Sequence, residues 1–121
     1  MDNDKPIATK KNDNIIYVGD INPKTGKPIM NYLSAVMYAF NRGETEVVIK
    51  ARGKYINNAV SVADMSERNP QNNLQIKEKD GFHAIKIGSE IYHRPENKEK
   101  NITARDMNVS FIEIVIVKKS Q

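Results

Sequence analysis

Lys24 and Lys27 stand just before one stretch of helical periodicity, and Arg52-Gly53-Lys54 opens another. Neither stretch has an acid in its expected first turn. A helix N-terminus carries partial positive charge and unpaired N–H groups, so stability by itself favours a carboxylate there. Cations at that position cost roughly a few tenths of a kcal/mol each. They suit a site that receives an external anion such as phosphate. Gly53 has no Cβ, so a phosphate could approach the backbone closely there. The plainer reading is of ordinary solvated lysines beside a structural glycine. Either site alone fits both readings; the occurrence of two favours the anion.

Charge placement supports this. The chain has 121 residues and a formal net charge of +4. Between Ile21 and Ala63 lie six cations (Lys24, Lys27, Arg42, Lys50, Arg52 and Lys54) and two acids (Glu44 and Glu46), so this third of the chain holds the whole excess. A mildly basic chain is weak evidence for a polyanionic partner, whereas local concentration of the charge is stronger evidence. A second basic group, His93, Arg94, Lys98, Lys100 and Arg105, is interspersed with Glu96, Glu99 and Asp106. It fits a basic arm that contacts phosphates or groove edges. Its near-neutral sum fits a plain solvated loop equally well.

Other chemistries find little support. Gly19 and Gly26 are separated by six residues rather than four, and Pro28 occupies the place of the magnesium-binding hydroxyl, which excludes a Walker loop. His83 and His93 lack partners at metal-ligand spacing, and there is no cysteine. Asp64 and Glu67 read as a solvated helix face rather than an acid–base pair. No nucleophile stands beside a base, so no enzyme, metal or cofactor is expected. Asn101-Ile-Thr103 and Asn108-Val-Ser110 match glycosylation sequons, but the polar N-terminus is not signal-like. No apolar run is long enough to cross a membrane. A cytoplasmic, chromosome-associated location is expected.

The elements that must position these residues follow from periodicity. Residues 1–13 read as a flexible tail and 14–121 as a single domain. Asn14–Gly19 reads as a buried strand and Asp20–Gly26 as an exposed loop. A helix then starts at Pro28, with Ile29, Leu33, Val36, Met37 and Phe40 on one face and Asn41-Arg42-Gly43 as its stop. Thr45–Ala51 reads as a strand. A second helix is expected from about Lys54 to Arg68, with Ile56, Ala59, Val60 and Ala63 inward and Pro70 beyond its end. From Leu74 to about Tyr92 the period is two, broken near Lys79-Asp80-Gly81 by a bulge or turn signal. Val109–Val117 places Ile112, Ile114 and Ile116 on one face. The polar stretch Arg94–Asp106 makes the mobile tip of a long hairpin. The order βαβαββ predicts an α/β two-layer sandwich with a C-terminal hairpin arm. If the first two strands are parallel neighbours, both helix starts emerge at one end of the sheet.

Three segments resemble the Alba family of chromatin and RNA-binding proteins. They are Lys27-Pro-Ile-Met-Asn-Tyr32; Val47-Val-Ile-Lys-Ala-Arg-Gly-Lys54 with Ile56-Asn-Asn-Ala-Val60; and Ile87-Gly-Ser89 with Ser110-Phe-Ile-Glu-Ile-Val115. The resemblance spans about residues 14–119. It implies a βαβαββ domain that forms homodimers or heterodimers, with the hairpins as two arms. It also implies largely sequence-independent binding of double-stranded DNA, and of RNA, with Lys27, Arg52 and Lys54 on phosphates. Lys24 is expected to assist, Asn31 and Tyr32 to lie near the ligand, and Arg94, Lys98, Lys100 and Arg105 to serve the arm. The chain departs from the family pattern in three places. Gly26 stands where many members have the first of two lysines, so acetylation control there is not expected. Arg68-Asn69-Pro70 lacks an aromatic used in stacking dimers on DNA. Lys79–His83 lengthens the base of the hairpin.

Two function classes follow. One is an architectural protein that binds DNA, and RNA as well, and compacts or protects it. The alternative is a subunit of an RNA-protein particle that acts mainly by pairing with a related chain.

Overall fold

A computed structural model describes residues 14–22, 24 and 28–119. The expected tail, residues 1–13, lies outside them. The elements are β1 (Ile15–Tyr17), α1 (Ile29–Asn41), β2 (Glu46–Arg52), a single 3-10 turn (Gly53–Tyr55), α2 (Ile56–Arg68), β3 (Leu74–Ile76), β4 (Glu78–Lys79), β5 (Phe82–His83), β6 (Ile85–Arg94) and β7 (Arg105–Lys118). The sandwich of two helices on one sheet is as the sequence predicts.

The fourteen-residue β7 organises the sheet. One edge pairs antiparallel with β2, Glu46 opposite Val117 through Arg52 opposite Phe111. The other edge is shared end to end by β3, at Leu74 opposite Lys118, and β6, from Ile85 opposite Ile114 to Arg94 opposite Arg105. β1 completes the sheet by parallel pairing with β2, Ile15 opposite Val48 and Tyr17 opposite Lys50.

The break expected near Lys79-Asp80-Gly81 is a complete hairpin. Lys77 N–H donates to the Val115 carbonyl at 2.8 Å, and Ala84 N–H donates to the Lys77 carbonyl at 2.7 Å. Between them β4 and β5 bud out of the strand line. Asp80 (φ 55°) and Gly81 (φ 84°) both take left-handed conformations, as a two-residue hairpin turn requires.

Alternation decides which face is buried. Val47, Ile49 and Ala51 of β2 and Ile112, Ile114 and Ile116 of β7 point to the helices and form the core with Val36, Ala39, Phe40, Ala59, Val62, Ala63 and Leu74. The opposite face of the same strands carries Lys50, Arg52, Phe111 and Glu113. One expected inward residue turns out: Val60 is 46% exposed. At about 100° per residue it flanks the stripe set by Ala59, Val62, Ala63 and Ser66. It lies on the same side as Glu67, whose carboxylate accepts from Ile76 N–H of β3 at 3.0 Å. That side faces the edge of β7 where β6 runs. There Ile85, Ile87 and Ile91, on the helix side of the sheet by register, are exposed, Ile87 by 75%.

Ser66 is buried, and its hydroxyl has no hydrogen-bond partner among the described residues. An unsatisfied buried hydroxyl costs about 1–3 kcal/mol. Ser66→Ala is therefore expected to stabilise the domain by about 1 kcal/mol, read as a rise in urea midpoint at constant slope. A lower midpoint would mean that the hydroxyl has a partner.

Candidate nucleic-acid interface

Because β1 and β2 are parallel, the chain leaves both strands at the same end of the sheet and enters α1 and α2 there. Three hydrogen bonds fix this end. Val18 N–H donates to the Lys50 carbonyl at 2.8 Å. Gly19 N–H donates to the Tyr32 hydroxyl at 3.1 Å, and Asn58 Nδ2 of α2 donates to the Gly19 carbonyl at 2.8 Å. The loop after β1 is thus tied to the first turns of both helices. Neither helix has a side-chain N-cap bond or an acid in its first turn. Their N–H groups keep their positive potential. Gly53, at φ 56°, makes the left-handed step from β2 into the 3-10 turn, and a Cβ there would meet open space.

The hairpin leaves from the same end. β2 stops at Arg52, opposite Phe111, while β6 and β7 continue from Gly88 opposite Phe111 to Arg94 opposite Arg105. At about 3.3 Å per residue these six steps carry the arm roughly 20 Å beyond the sheet body. Its tip is closed by reciprocal 2.9 Å bonds between Asn97 and Ile102.

The candidate residues separate into groups. Lys24 and Lys54 are exposed at the body end, and Lys98, Lys100 and Arg105 are exposed on the arm. None of the five makes an ion pair among the described residues. Lys54 lies over the neighbouring Tyr55 ring at 5.4 Å. Arg94 donates through Nε and Nη2 to the Thr103 carbonyl (3.2 and 2.8 Å), bracing the tip. His93 pairs with Asp106 at 2.5 Å. Asn31 is exposed in the first turn of α1, whereas Tyr32 is in the core, its hydroxyl holding the loop. Lys27 and Gly26 lie outside the described residues. The arm group therefore stands about 20 Å from the body group rather than merging with it.

Arg52 is engaged differently. On the helix-free face its Nε donates to Glu90 Oε2, and its guanidinium lies 5.3 Å from the Tyr17 ring. Lys50 Nζ donates to Glu90 Oε1 at 3.1 Å and pairs with Glu113 at 3.2 Å. Phe111 lies beneath, 4.9 Å from Lys50 Nζ and 5.9 Å from Lys86 Nζ. Gly88 makes room for that ring: a Cβ there would lie 3.1 Å from it. The hydrogen bond from Arg52, and then that from Lys50, holds the Glu90 carboxyl below the ordinary carboxylate range. Burial pulls Lys50 down, but its bonds to Glu90 and Glu113 outweigh this and hold it above the usual lysine value.

Sequence reasoning missed Asn58, Glu90 and the two cation–ring contacts, Arg52 with Tyr17 and Lys50 with Phe111. Asn58 and Glu90 lie 39 and 38 residues from their partners Gly19 and Arg52, so no local pattern links them. Strand alternation does place Tyr17, Lys50 and Phe111 on one face once the pairing is known.

This architecture defines a class: a small α/β domain with two basic, uncapped helix starts and a projecting hairpin at one end. The Alba family profile matches residues 14–82. DNA/RNA-binding protein Alba 1 from Archaeoglobus fulgidus is 38% identical over 107 residues, 88% of this chain and 98% of that protein. DNA/RNA-binding protein Alba from Methanothrix thermoacetophila is 37% identical over 106 residues, 88% of this chain and 97% of the relative. Among solved structures, Alba from Thermoplasma volcanium superposes with a TM-score of 0.61 at 32% identity, covering 87% of this chain and all of that one. The fold is shared with ALBA1 from Trypanosoma brucei, TM-score 0.55, at 24% identity over 88% of this chain and 70% of that one. The chain belongs to the Alba family.

Glu90 has a lower pKa folded than unfolded, so its contribution to stability is full above the unfolded value of about 4.3 and is lost as pH falls through the folded one. Urea titrations across the acid range should show native stability falling below about pH 4.3, with a shallower fall in Glu90→Gln. Identical acid limbs for the two proteins would mean that the pair contributes nothing.

Proposed function

We propose that this chain is an architectural nucleic-acid-binding protein that grips the phosphate backbone as a dimer, largely independently of sequence, and compacts or protects DNA and RNA. The observation that carries this is the shared end of the sheet: two uncapped helix starts with exposed Lys24 and Lys54, neither in an ion pair among the described residues, and a basic arm projecting from the same end. Lys27 and Arg52 join the body contacts, and Asn31 lines them. Buried Tyr32 holds the neighbouring loop through its hydroxyl rather than touching the ligand, and Arg94, Lys98, Lys100 and Arg105 serve the arm. The names of the relatives, DNA/RNA-binding proteins, support the same ligand class. The role is binding rather than catalysis, in the cytoplasm and on the chromosome. Metal-dependent cleavage of bound nucleic acid would overturn that.

Dimerisation draws support from the uncovered apolar strip of Ile85, Ile87, Ile91 and Val60 along the outer edge of the sheet. Exposed large apolar side chains gathered along one edge suit an interface. The strip would seat a second copy or a related chain; the latter is the RNA-protein-particle reading. Ile87→Glu is expected to convert a dimer to a monomer in light scattering. If wild type is monomeric and binds nothing until a related chain is added, that second reading takes over.

Duplex DNA affinity should fall linearly with salt on log–log axes, by about 0.9 per phosphate neutralised. Replacing Lys24 and Lys54 together by Gln should flatten that slope by up to about 1.8 per chain and weaken all sequences alike. A slope indifferent to salt, or loss of one preferred sequence only, would overturn backbone binding.

A further inference from the structure

The carboxylate of Glu90 stands among the cations of the proposed surface, and it comes from the arm. β2 and β6 lie on opposite edges of β7, with Arg52 opposite Phe111 and Glu90 opposite Val109. Both side chains are on the helix-free face and reach over β7 to meet. One oxygen takes Arg52 and the other takes Lys50. The two cations differ in what else they have. The Lys50 side chain is 12% exposed and retains Glu113 as a second acid. The Arg52 side chain is 38% exposed, and Glu90 is its one carboxylate among the described residues. Lys24, Lys54, Lys98, Lys100 and Arg105 have no such partner among the described residues.

A carboxylate and a phosphate are alternative acceptors for the same guanidinium fork. A partly exposed ion pair is weak enough for a polyanion to break. Arg52 also directly precedes Gly53-Lys54, at the end of the sheet where a backbone would lie. We propose that Glu90 is a built-in counter-anion that a nucleic-acid phosphate must displace from Arg52, so that Glu90 sets how tightly the body of the domain holds its ligand. Unpaired, the surface would hold any polyanion more strongly; paired, it holds one more weakly and releases it more readily. This rests on the proposed function and concerns one residue of that surface.

The test measures fluorescence anisotropy with a short mixed-sequence DNA duplex at several salt concentrations, using the full chain. Glu90→Gln is expected to bind about three- to tenfold tighter near physiological salt, with a slope steeper by about 0.9, the gain from one further phosphate contact per chain. In an Arg52→Gln background the same change should give no gain. Should Glu90→Gln fail to fold, as judged by its melting transition, Glu90→Asp withdraws the carboxylate by one methylene and should tighten binding likewise while keeping the charge. Binding unchanged or weaker in whichever variant folds, while wild type binds, overturns this proposal and leaves the proposed function standing. A gain that persists without Arg52 also overturns it, because removal of any negative charge would then explain the effect. Wild type that binds no duplex even at low salt overturns both.

Discussion

Strand β7 is longer than either of its jobs requires, and its length governs the geometry of the domain. Its C-terminal half, through Ile112, Ile114 and Ile116, is the middle of the core. Its N-terminal half, from Arg105 to Ser110, has left β2 behind and holds only β6. A two-stranded ribbon is marginal by itself in water. Here it extends directly from a paired and buried strand, so its register is fixed at the body before the ribbon leaves it. The same strand therefore anchors the fold and carries the arm.

The arm emerges where the helices begin because two pairings share one direction. Parallel pairing of β1 with β2 brings both helix N-termini to the C-terminal end of β2, and antiparallel pairing of β7 with β2 sends the ribbon out past that end. Both helix N-termini, exposed Lys24 and Lys54 and the base of the arm thus share one end of the sheet. The hollow between the helices, lined by Met30, Leu33, Met37, Tyr38 and Met65, has Arg68 as its one cation among the described residues and belongs to a different part of the surface. A polyanion backbone needs spaced positive points along a surface rather than an enclosed cavity.

The helix-free face shows how mixed charge is accommodated. Lys50, largely covered, has two carboxylates and an aromatic ring around it, so its charge is balanced within the fold. Arg52, one alternation further along and closer to the open end, shares one of those carboxylates and remains partly exposed. Like cations two residues apart therefore differ in availability, and counting charge along the chain cannot separate them.

The sequence by itself determined the element order, the helix-facing isoleucines of β7, the absence of acids at both helix starts, and the concentration of net charge between Ile21 and Ala63. These are properties of neighbours within one turn or one alternation, where local sterics and hydrophobic burial decide. It misplaced Val60, because the stripe of α2 is set by which side meets the sheet. At Lys79–Gly81 it offers a bulge or a turn without separating them, and the structure makes the turn, which closes a hairpin complete in itself. Only the tertiary structure decided that Asn58 and Tyr32 hold the loop after β1, that the arm shares its end with the helix starts, and that Glu90 occupies Arg52. The physical reason is sequence separation: each of those contacts joins residues brought together by strand pairing or by helix-on-sheet packing, which leave no local pattern in the chain.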